Sequence, residues 1–76
     1  MNLQEAFSTI LRNNRRSCGI SQEELAHRCD LDRTYISLLE RGKRMPTINV
    51  VFKLCEALSI KPSEFILQVE ALLEIS

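Results

Sequence analysis

The chain lacks the features that mark disordered, membrane-spanning and secreted proteins. Its 76 residues include two glycines, two prolines and no low-complexity run, which argues against disorder. No run of about 18 apolar residues occurs, so the sequence predicts no membrane span. The N-terminus MNLQEAF carries a carboxylate and no long apolar segment, and we expect no secretory signal there. The sequence therefore predicts a single small domain over residues 1–76.

Paired cysteines are also absent. Cys18, Cys29 and Cys55 are odd in number and irregularly spaced, which is typical of free thiols in a reducing cytosol. His27 is the other candidate metal ligand, but no C-x2-C or H-x3-H spacing connects these residues. We therefore expect a cytoplasmic protein with no metal and no other cofactor.

The net charge is zero, and its distribution along the chain is uneven. Residues 1–46 hold eight Lys or Arg and six Asp or Glu, whereas residues 47–76 hold two and four. The first part is therefore positive by two charges and the second negative by two. A solvated surface explains so small an asymmetry as well as a nucleic-acid partner does.

The stretch SQEELAHRCDLDRTYISLLERG, residues 21–42, carries the clearest local signals. Ser21 and Glu24 form the S-x-x-E pattern of a capping box, which predicts that a helix begins here. This helix should run to about Cys29. Asp30 should then occupy a turn, because Asp tolerates a left-handed backbone better than most residues do.

A second helix should follow at once. Asp32 is its predicted N-cap, which makes residues 33–35 the first three helical positions. Ile36 and Leu39 share the inward face at about 100° per residue, and Gly42 ends the helix. The opposite face carries Arg33, Thr34, Ser37, Leu38 and Arg41.

Three amphipathic segments surround this pair. A first helix should begin at an Asn2 cap and end at Gly19, a fourth should begin at Thr47, and a fifth should cover residues 62–75. No convincing strand is present, so the predicted fold is all-α with five helices. The expected inward positions are Leu3, Phe7, Ile10 and Leu11 in the first helix, and Ile48, Val51, Leu54, Cys55 and Leu58 in the fourth.

The fifth helix is too apolar to be buried on every side in a domain of this size. If one stripe packs on the domain, Leu67, Leu73 or Ile75 should face outward. Exposed apolar residues clustered on one helix indicate a partner surface. We therefore predict that residues 62–75 form a dimerisation helix.

Two helices joined by a short turn suit a helix-turn-helix, whose second helix enters the DNA major groove. Arg33 can donate two hydrogen bonds to a guanine edge, and Thr34, Ser37 and Leu38 offer further base contacts. The candidates for phosphate contacts are Gln22, Tyr35, Arg41, Lys43 and Arg44. Taken alone, each of the charged residues among these candidates is equally typical of an ordinary solvated surface.

The motifs S-Q-E-E-L-A at 21–26, Y-I-S at 35–37, L-E-R-G-K at 39–43 and P-T at 46–47 resemble the Cro and phage-repressor, or xenobiotic-response-element, helix-turn-helix family. The run K-L-C-E-A-L-S-I at 53–60 is similar to that family's fourth helix. The segment L-D-R-T-Y-I-S at 31–37 also resembles controller proteins of restriction–modification systems.

The resemblance implies a lambda-repressor-like domain that binds a palindromic operator on double-stranded DNA as a homodimer, in a bacterial or phage nucleoid. By position, it implies base contacts by Arg33, Thr34 and Ser37, and backbone contacts by Gln22, Arg41, Lys43 and Arg44. It further implies an ion pair between Arg15 and Glu40. Asp30 and Ser59 depart from the pattern, because the family usually has glycine there.

Several alternatives stay open from sequence. An antitoxin would use the same DNA face and give its last helix to a toxin, and a protein-interaction module would not bind DNA at all. In an activator, Glu23 and Glu24 are the acidic residues available to RNA polymerase, although exposed acidic residues usually contact nothing specific. An enzyme is not expected, because His27 has no apparent partner and no nucleophile–base pair is visible.

Overall fold

The computed structural model describes residues 1–75, which form five α-helices and no β-strand. The predicted all-α architecture is therefore confirmed. Within this described part, no helix is long and apolar enough to cross a bilayer. The helices are α1 (Leu3–Ser17), α2 (Gln22–Cys29), α3 (Arg33–Glu40), α4 (Ile48–Ala57) and α5 (Pro62–Ile75).

A side-chain oxygen caps the start of each of the first four helices, by accepting a hydrogen bond of 2.8 to 3.2 Å from a backbone N–H in the first turn. At α1 the box is reciprocal, since the Glu5 carboxylate accepts from the Asn2 N–H at 3.0 Å. At α2 the Glu24 carboxylate instead accepts from Arg28 Nε at 2.9 Å. The predicted capping box is thus only half formed there. The caps are Asn2, Ser21, Asp32 and Thr47.

The first four helices all leave through a left-handed residue. The φ angles are 70° at Gly19, 55° at Asp30, 69° at Gly42 and 56° at Ser59. In every case the N–H of the next residue reaches back to the carbonyl five positions earlier, at 2.9 to 3.4 Å, which is the Schellman closure. Glycine adopts this backbone freely, whereas Asp and Ser carry a steric cost.

The hydrophobic core joins all five helices, and its aromatic centre is a pair of phenylalanines. The Phe7 and Phe65 rings lie 5.4 Å apart between centroids and are tilted by 57°. Around them pack buried aliphatic residues from every helix, including Leu11, Leu25, Ile36, Leu39 and Leu54. Burial of this surface supplies most of the stability that helices as short as α2 and α3 lack on their own.

Two expected core positions are in fact exposed. Leu3 and Ile48 are each the first residue of a helix and are 53% and 64% accessible. The first turn of each of these helices extends beyond the neighbouring helices. Apolar residues that follow the helical periodicity therefore remain exposed there. The prediction that these two residues face inward is wrong.

The cysteines are free thiols. Cys29 and Cys55 are buried and Cys18 is exposed. Burial raises the pKa of Cys29 and raises that of Cys55 to about 11, so both thiols are neutral at ordinary pH. Among residues 1–75, no three His, Cys, Asp or Glu side chains lie close enough together to hold a metal ion.

The packing order determines which helix remains open. α3 packs mainly against α1 and α2, while α5 packs against α1 and α4. The outer face of α3 is therefore uncovered, and α4 and α5 lie on the side of the domain away from it.

Ser59→Gly should stabilise the domain by about 0.5–1 kcal/mol, because glycine removes the steric cost of the left-handed exit from α4. The greater conformational entropy of glycine in the unfolded chain offsets only part of this gain. Urea unfolding measures the change. Ser63→Gly, in the first turn of α5, is the matched control and should destabilise by about 0.5 kcal/mol. Equal effects of the two changes would show that the φ of 56° at Ser59 carries no strain.

Candidate nucleic-acid interface

The turn between α2 and α3 fixes which residues of α3 come first. Only residues 30–32 separate the two helices. Asp30 reverses the chain with its left-handed backbone, and the Leu31 N–H donates to the Ala26 carbonyl at 2.9 Å. Asp32 Oδ1 then accepts from the Thr34 N–H at 2.8 Å, which caps α3. The helix therefore begins at Arg33, as the sequence predicted.

The two sides of α3 differ sharply in burial. Ile36 and Leu39 are completely buried beneath it. Arg33 and Thr34 are exposed at its leading end, and Ser37 and Leu38 are half-exposed one turn further along. The four predicted base-contacting residues thus line the accessible part of one short helix. They offer charged, hydroxyl and apolar groups in a strip that can reach base edges.

Tyr35 lies at the edge of this strip. Its side chain is half-buried and packs against the core, so its ring also has a structural role. The ring position leaves Tyr35 at the flank of α3 and not on its outermost line.

A buried carboxylate stands behind α3. Glu40 is 2% exposed and accepts from Arg15 twice, Nε to Oε2 at 2.6 Å and Nη2 to Oε1 at 2.9 Å. The ion pair that the family resemblance implied is therefore present, with bidentate geometry. The hydrogen bonds that Arg15 donates to Glu40 raise the pKa of the Arg15 guanidinium, whereas burial acts in the opposite direction.

Two further side chains donate hydrogen bonds to Glu40. Gln22 Nε2 donates to Glu40 Oε1 at 3.1 Å, and Arg12 Nη1 donates to the Glu40 backbone carbonyl at 2.9 Å. The Gln22 amide carries a second N–H, which this hydrogen bond does not use. Nothing in the sequence pattern indicated Arg12, because its partner is a main-chain atom near the end of α3.

The basic residues after α3 surround its far end. Arg41, Lys43 and Arg44 are all exposed, and Arg41 Nε makes one long bond to the Ser37 carbonyl at 3.4 Å. Within the described chain, Lys43 and Arg44 form no ion pair, so both charges are open to a ligand. Gly42 brings this loop close to α1, since a Cβ there would lie 3.7 Å from Ser8 Oγ.

The predicted dimer residues separate into two groups. Leu67 is 62% exposed and Ile75 is 82% exposed, which agrees with their outward placement. Leu73, which was expected to face out with them, is half-buried and packs against the core. Ile66, which the sequence did not single out, is 47% exposed.

Comparison with known proteins yields consistent matches. A sequence model described as helix-turn-helix matches residues 11–65. The chain is 39% identical over 66 residues to the control protein C.BamHI of Bacillus amyloliquefaciens, an alignment that covers 86% of this chain and 82% of that protein.

Two solved structures share the architecture. The restriction–modification controller protein C.AhdI of Aeromonas hydrophila superposes with a TM-score of 0.79 and 40% identity, covering 82% of this chain and 94% of its own. The controller protein C.Esp1396I, solved as a tetramer in complex with its natural 35-base-pair operator, superposes with a TM-score of 0.85 and 31% identity over 93% of each chain.

Arg15→Gln should destabilise the domain by about 3–5 kcal/mol, because it leaves the Glu40 carboxylate buried with no cation. Urea unfolding of both forms measures the loss. Arg16→Gln is the matched control, since Arg16 is exposed on the same helix turn, and it should change stability by less than about 0.5 kcal/mol. A loss of similar size in both variants would mean that helix propensity, not the ion pair, is responsible.

Proposed function

The chain belongs to the helix-turn-helix family, and on this basis we propose that it is a sequence-specific regulator of transcription that binds a palindromic operator as a homodimer. The observation that carries this proposal is the uncovered face of α3. Its capped start presents Arg33 and Thr34 to solvent while Ile36 and Leu39 fix the helix to the core. A helix held in this manner fits the major groove with its first residues towards the bases.

Base reading is assigned to the accessible strip of α3. The Arg33 guanidinium can donate to both O6 and N7 of one guanine, which is the commonest specific contact. Thr34 and Ser37 supply hydroxyl groups, and the half-exposed Leu38 offers an apolar contact to a thymine methyl. Four contacts on two turns suit a short half-site.

Backbone binding is assigned to the groups on either side of that strip. Gln22 lies at the start of α2, where the N–H groups favour an anion. Tyr35 and Arg41 flank α3, and Lys43 and Arg44 follow it. These positions would hold the phosphates on both sides of the groove and make affinity fall steeply with salt.

The kind of regulator is inferred from the relatives. Both C.BamHI and C.SmaI of Serratia marcescens, which is 36% identical over 59 residues, are named control proteins. We assign this chain the corresponding role of regulating restriction–modification genes, including its own, in the bacterial cytoplasm. If it activates, exposed Glu23 is the residue we assign to RNA polymerase, because Glu24 is engaged by Arg28.

Self-association is assigned in the first place to α5. Leu67 and Ile75 are exposed on it, and the half-buried Leu73 links that surface to the core. Two-fold pairing would place two copies of α3 in successive major grooves, roughly 34 Å apart. The operator should therefore have two-fold symmetry.

Selection from random DNA with the wild-type protein should enrich a palindrome. In Arg33→Ala the same selection should return a site with one base per half-site relaxed, and binding to the original site should weaken by about 1–3 kcal/mol. Arg16→Ala is the control, because Arg16 is an exposed arginine of α1 that is outside the proposed DNA-contacting set. Enrichment of no palindrome would contradict the proposed function. Equal weakening on all sequences would remove Arg33 from the base-reading set.

Arg44→Ala should weaken binding to every sequence and reduce the slope of log affinity against log salt by about one. The reason is that one fewer counterion is released when one phosphate contact is lost. Binding isotherms over a range of salt concentrations measure the slope. An unchanged slope would show that Arg44 does not contact a phosphate.

A further inference from the structure

Resting on the proposed DNA-binding function, we propose that Arg12 of α1 is a further phosphate-binding residue, which contacts the DNA backbone beside the end of α3. Arg12 lies outside the helix-turn-helix segment of residues 21–42, and no sequence pattern indicated a role for it. Its assignment follows from the hydrogen bond that it makes, from the donors that it leaves unused and from a charge that no carboxylate balances.

Arg12 holds the end of α3. The carbonyls of residues 37–39 each accept a backbone N–H from residues 41–43. The Glu40 carbonyl, the last of the helix, accepts instead from Arg12 Nη1 at 2.9 Å. A cation is favoured at this position, because the C-terminal end of a helix carries partial negative charge. The guanidinium is thereby fixed where α3 ends and the basic loop begins.

Most of the Arg12 guanidinium is still available to a ligand. It carries five N–H donors, and within residues 1–75 only the bond to the Glu40 carbonyl uses one. In this described part of the chain, no buried side-chain nitrogen lacks a hydrogen-bond partner. The unbonded Nε and Nη2 of Arg12 therefore reach solvent, although the side chain is half-buried. A phosphate, which offers several acceptor oxygens, matches these donors.

The charge of Arg12 has no carboxylate of its own. Arg15, three residues later, donates to both oxygens of the Glu40 carboxylate, so two guanidinium groups between α1 and α3 share one negative charge. None of the residues one turn away from Arg12 on α1 is acidic; they are Ser8, Thr9, Arg15 and Arg16. A half-buried cation without a counter-ion is costly, so this junction favours an anion.

One face of α1 follows the end of α3 and the loop after it. Ser8 lies beside the loop, since a Cβ on Gly42 would lie 3.7 Å from Ser8 Oγ. Arg12 lies beside the Glu40 carbonyl, and Arg15 beside the Glu40 carboxylate. At 1.5 Å per residue, these three residues cover about 10 Å of α1. Arg12 is the middle one and lies between the loop and the carboxylate.

Proposed phosphate contacts adjoin both ends of this row. At one end, Gln22 donates to the Glu40 carboxylate at 3.1 Å. At the other end, Lys43 and Arg44 directly follow Gly42. A DNA backbone that extends from one of these groups to the other passes Arg12. We therefore place a further phosphate contact there, made by the donors that Arg12 does not use on the protein.

A purely structural cap is the competing interpretation of Arg12. Such a cap would hold α3 without touching DNA, and its loss would still weaken binding by disturbing the recognition helix. The two roles differ in salt dependence, because a phosphate contact releases a counterion from DNA and a cap releases none. The slope of log affinity against log salt therefore distinguishes them, whereas affinity at one salt concentration does not.

Binding of Arg12→Gln to a duplex of fixed, non-palindromic sequence should show this difference. We expect the salt slope to fall by about one per bound subunit, and affinity to fall about eightfold per subunit at about 0.1 M salt. Arg12→Lys keeps the charge and should keep the slope. Arg16→Gln is the matched control, because Arg16 is exposed one turn along α1 and forms no ion pair in the described residues. It should leave the slope unchanged.

Two further measurements separate folding from binding. Far-ultraviolet circular dichroism and urea unfolding show whether each variant is folded and how much stability the missing cap removes. Modification of wild-type arginines by phenylglyoxal, located by mass spectrometry, needs no variant. An excess of the same duplex should slow the modification of Arg12 several-fold and leave that of Arg16 unchanged.

Several outcomes would overturn the phosphate contact. One is an unchanged salt slope in a helical Arg12→Gln protein. Another is an equal loss of slope in Arg12→Lys, which would indicate a disturbed α3, or in Arg16→Gln, which would indicate a general effect of charge. If Arg12→Gln does not fold, equal modification of Arg12 with and without DNA would overturn it.

The same experiments distinguish this contact from the proposed function. If the wild-type protein binds no duplex DNA, both fail. If it binds DNA but selection enriches no palindrome, the sequence-specific function fails, while the salt slope on the fixed duplex still decides the role of Arg12.

Discussion

The buried carboxylate of Glu40 is the constraint on which the binding face depends. A charge that is 2% exposed must be neutralised, and the bidentate contact with Arg15 of α1 does so. Gln22 of α2 donates to the same carboxylate, and Arg12 of α1 donates to the carbonyl of the same residue. One residue near the end of α3 therefore fixes three helices relative to one another. A packing of α3 that separated Glu40 from Arg15 would leave this charge buried without a cation, so the network favours the observed orientation of α3.

Tight turns are the second constraint, because they allow short helices to pack at all. α2 and α3 have eight residues each, too few for stability in isolation. Capped starts and left-handed exits satisfy the end groups that such helices leave open. Gly19 and Gly42 provide two of the exits without steric strain, whereas Asp30 and Ser59 carry strain at the other two. The Asp30 turn sets the start of α3, so its backbone geometry is directly linked to the position of Arg33.

Local chemistry made the starts of the capped helices predictable, whereas the partners and the burial of individual side chains were harder to predict. The Asp32 cap depends on a bond to an N–H two residues away, so the sequence alone placed Arg33 and Thr34 correctly. Glu24 was not predicted correctly, because Arg28 competes for its carboxylate. Leu73 and Ile48 were misplaced for a different reason, because periodicity gives the face of a helix but not how far its neighbours extend. The Arg15–Glu40 pair came only from family resemblance, since no spacing rule links residues on different helices.

The proposed DNA contacts divide into those that supply affinity and those that supply specificity. The Gln22 amide is already held by Glu40, so the phosphate contact proposed for its second N–H would cost little side-chain freedom. In the proposed complex, Lys43 and Arg44 act as point charges on phosphates, so their contribution to affinity depends on salt concentration and not on base sequence. Arg33 is exposed, and in the proposed complex it forms its paired hydrogen bonds only with the correct base edge. Under these proposed assignments, the phosphate contacts hold the domain on any DNA, and the residues at the start of α3 determine which sequence it prefers. If two copies associate through a surface away from α3, the second half-site is bound at a fixed distance from the first. The sequence preference of the dimer then exceeds that of one copy.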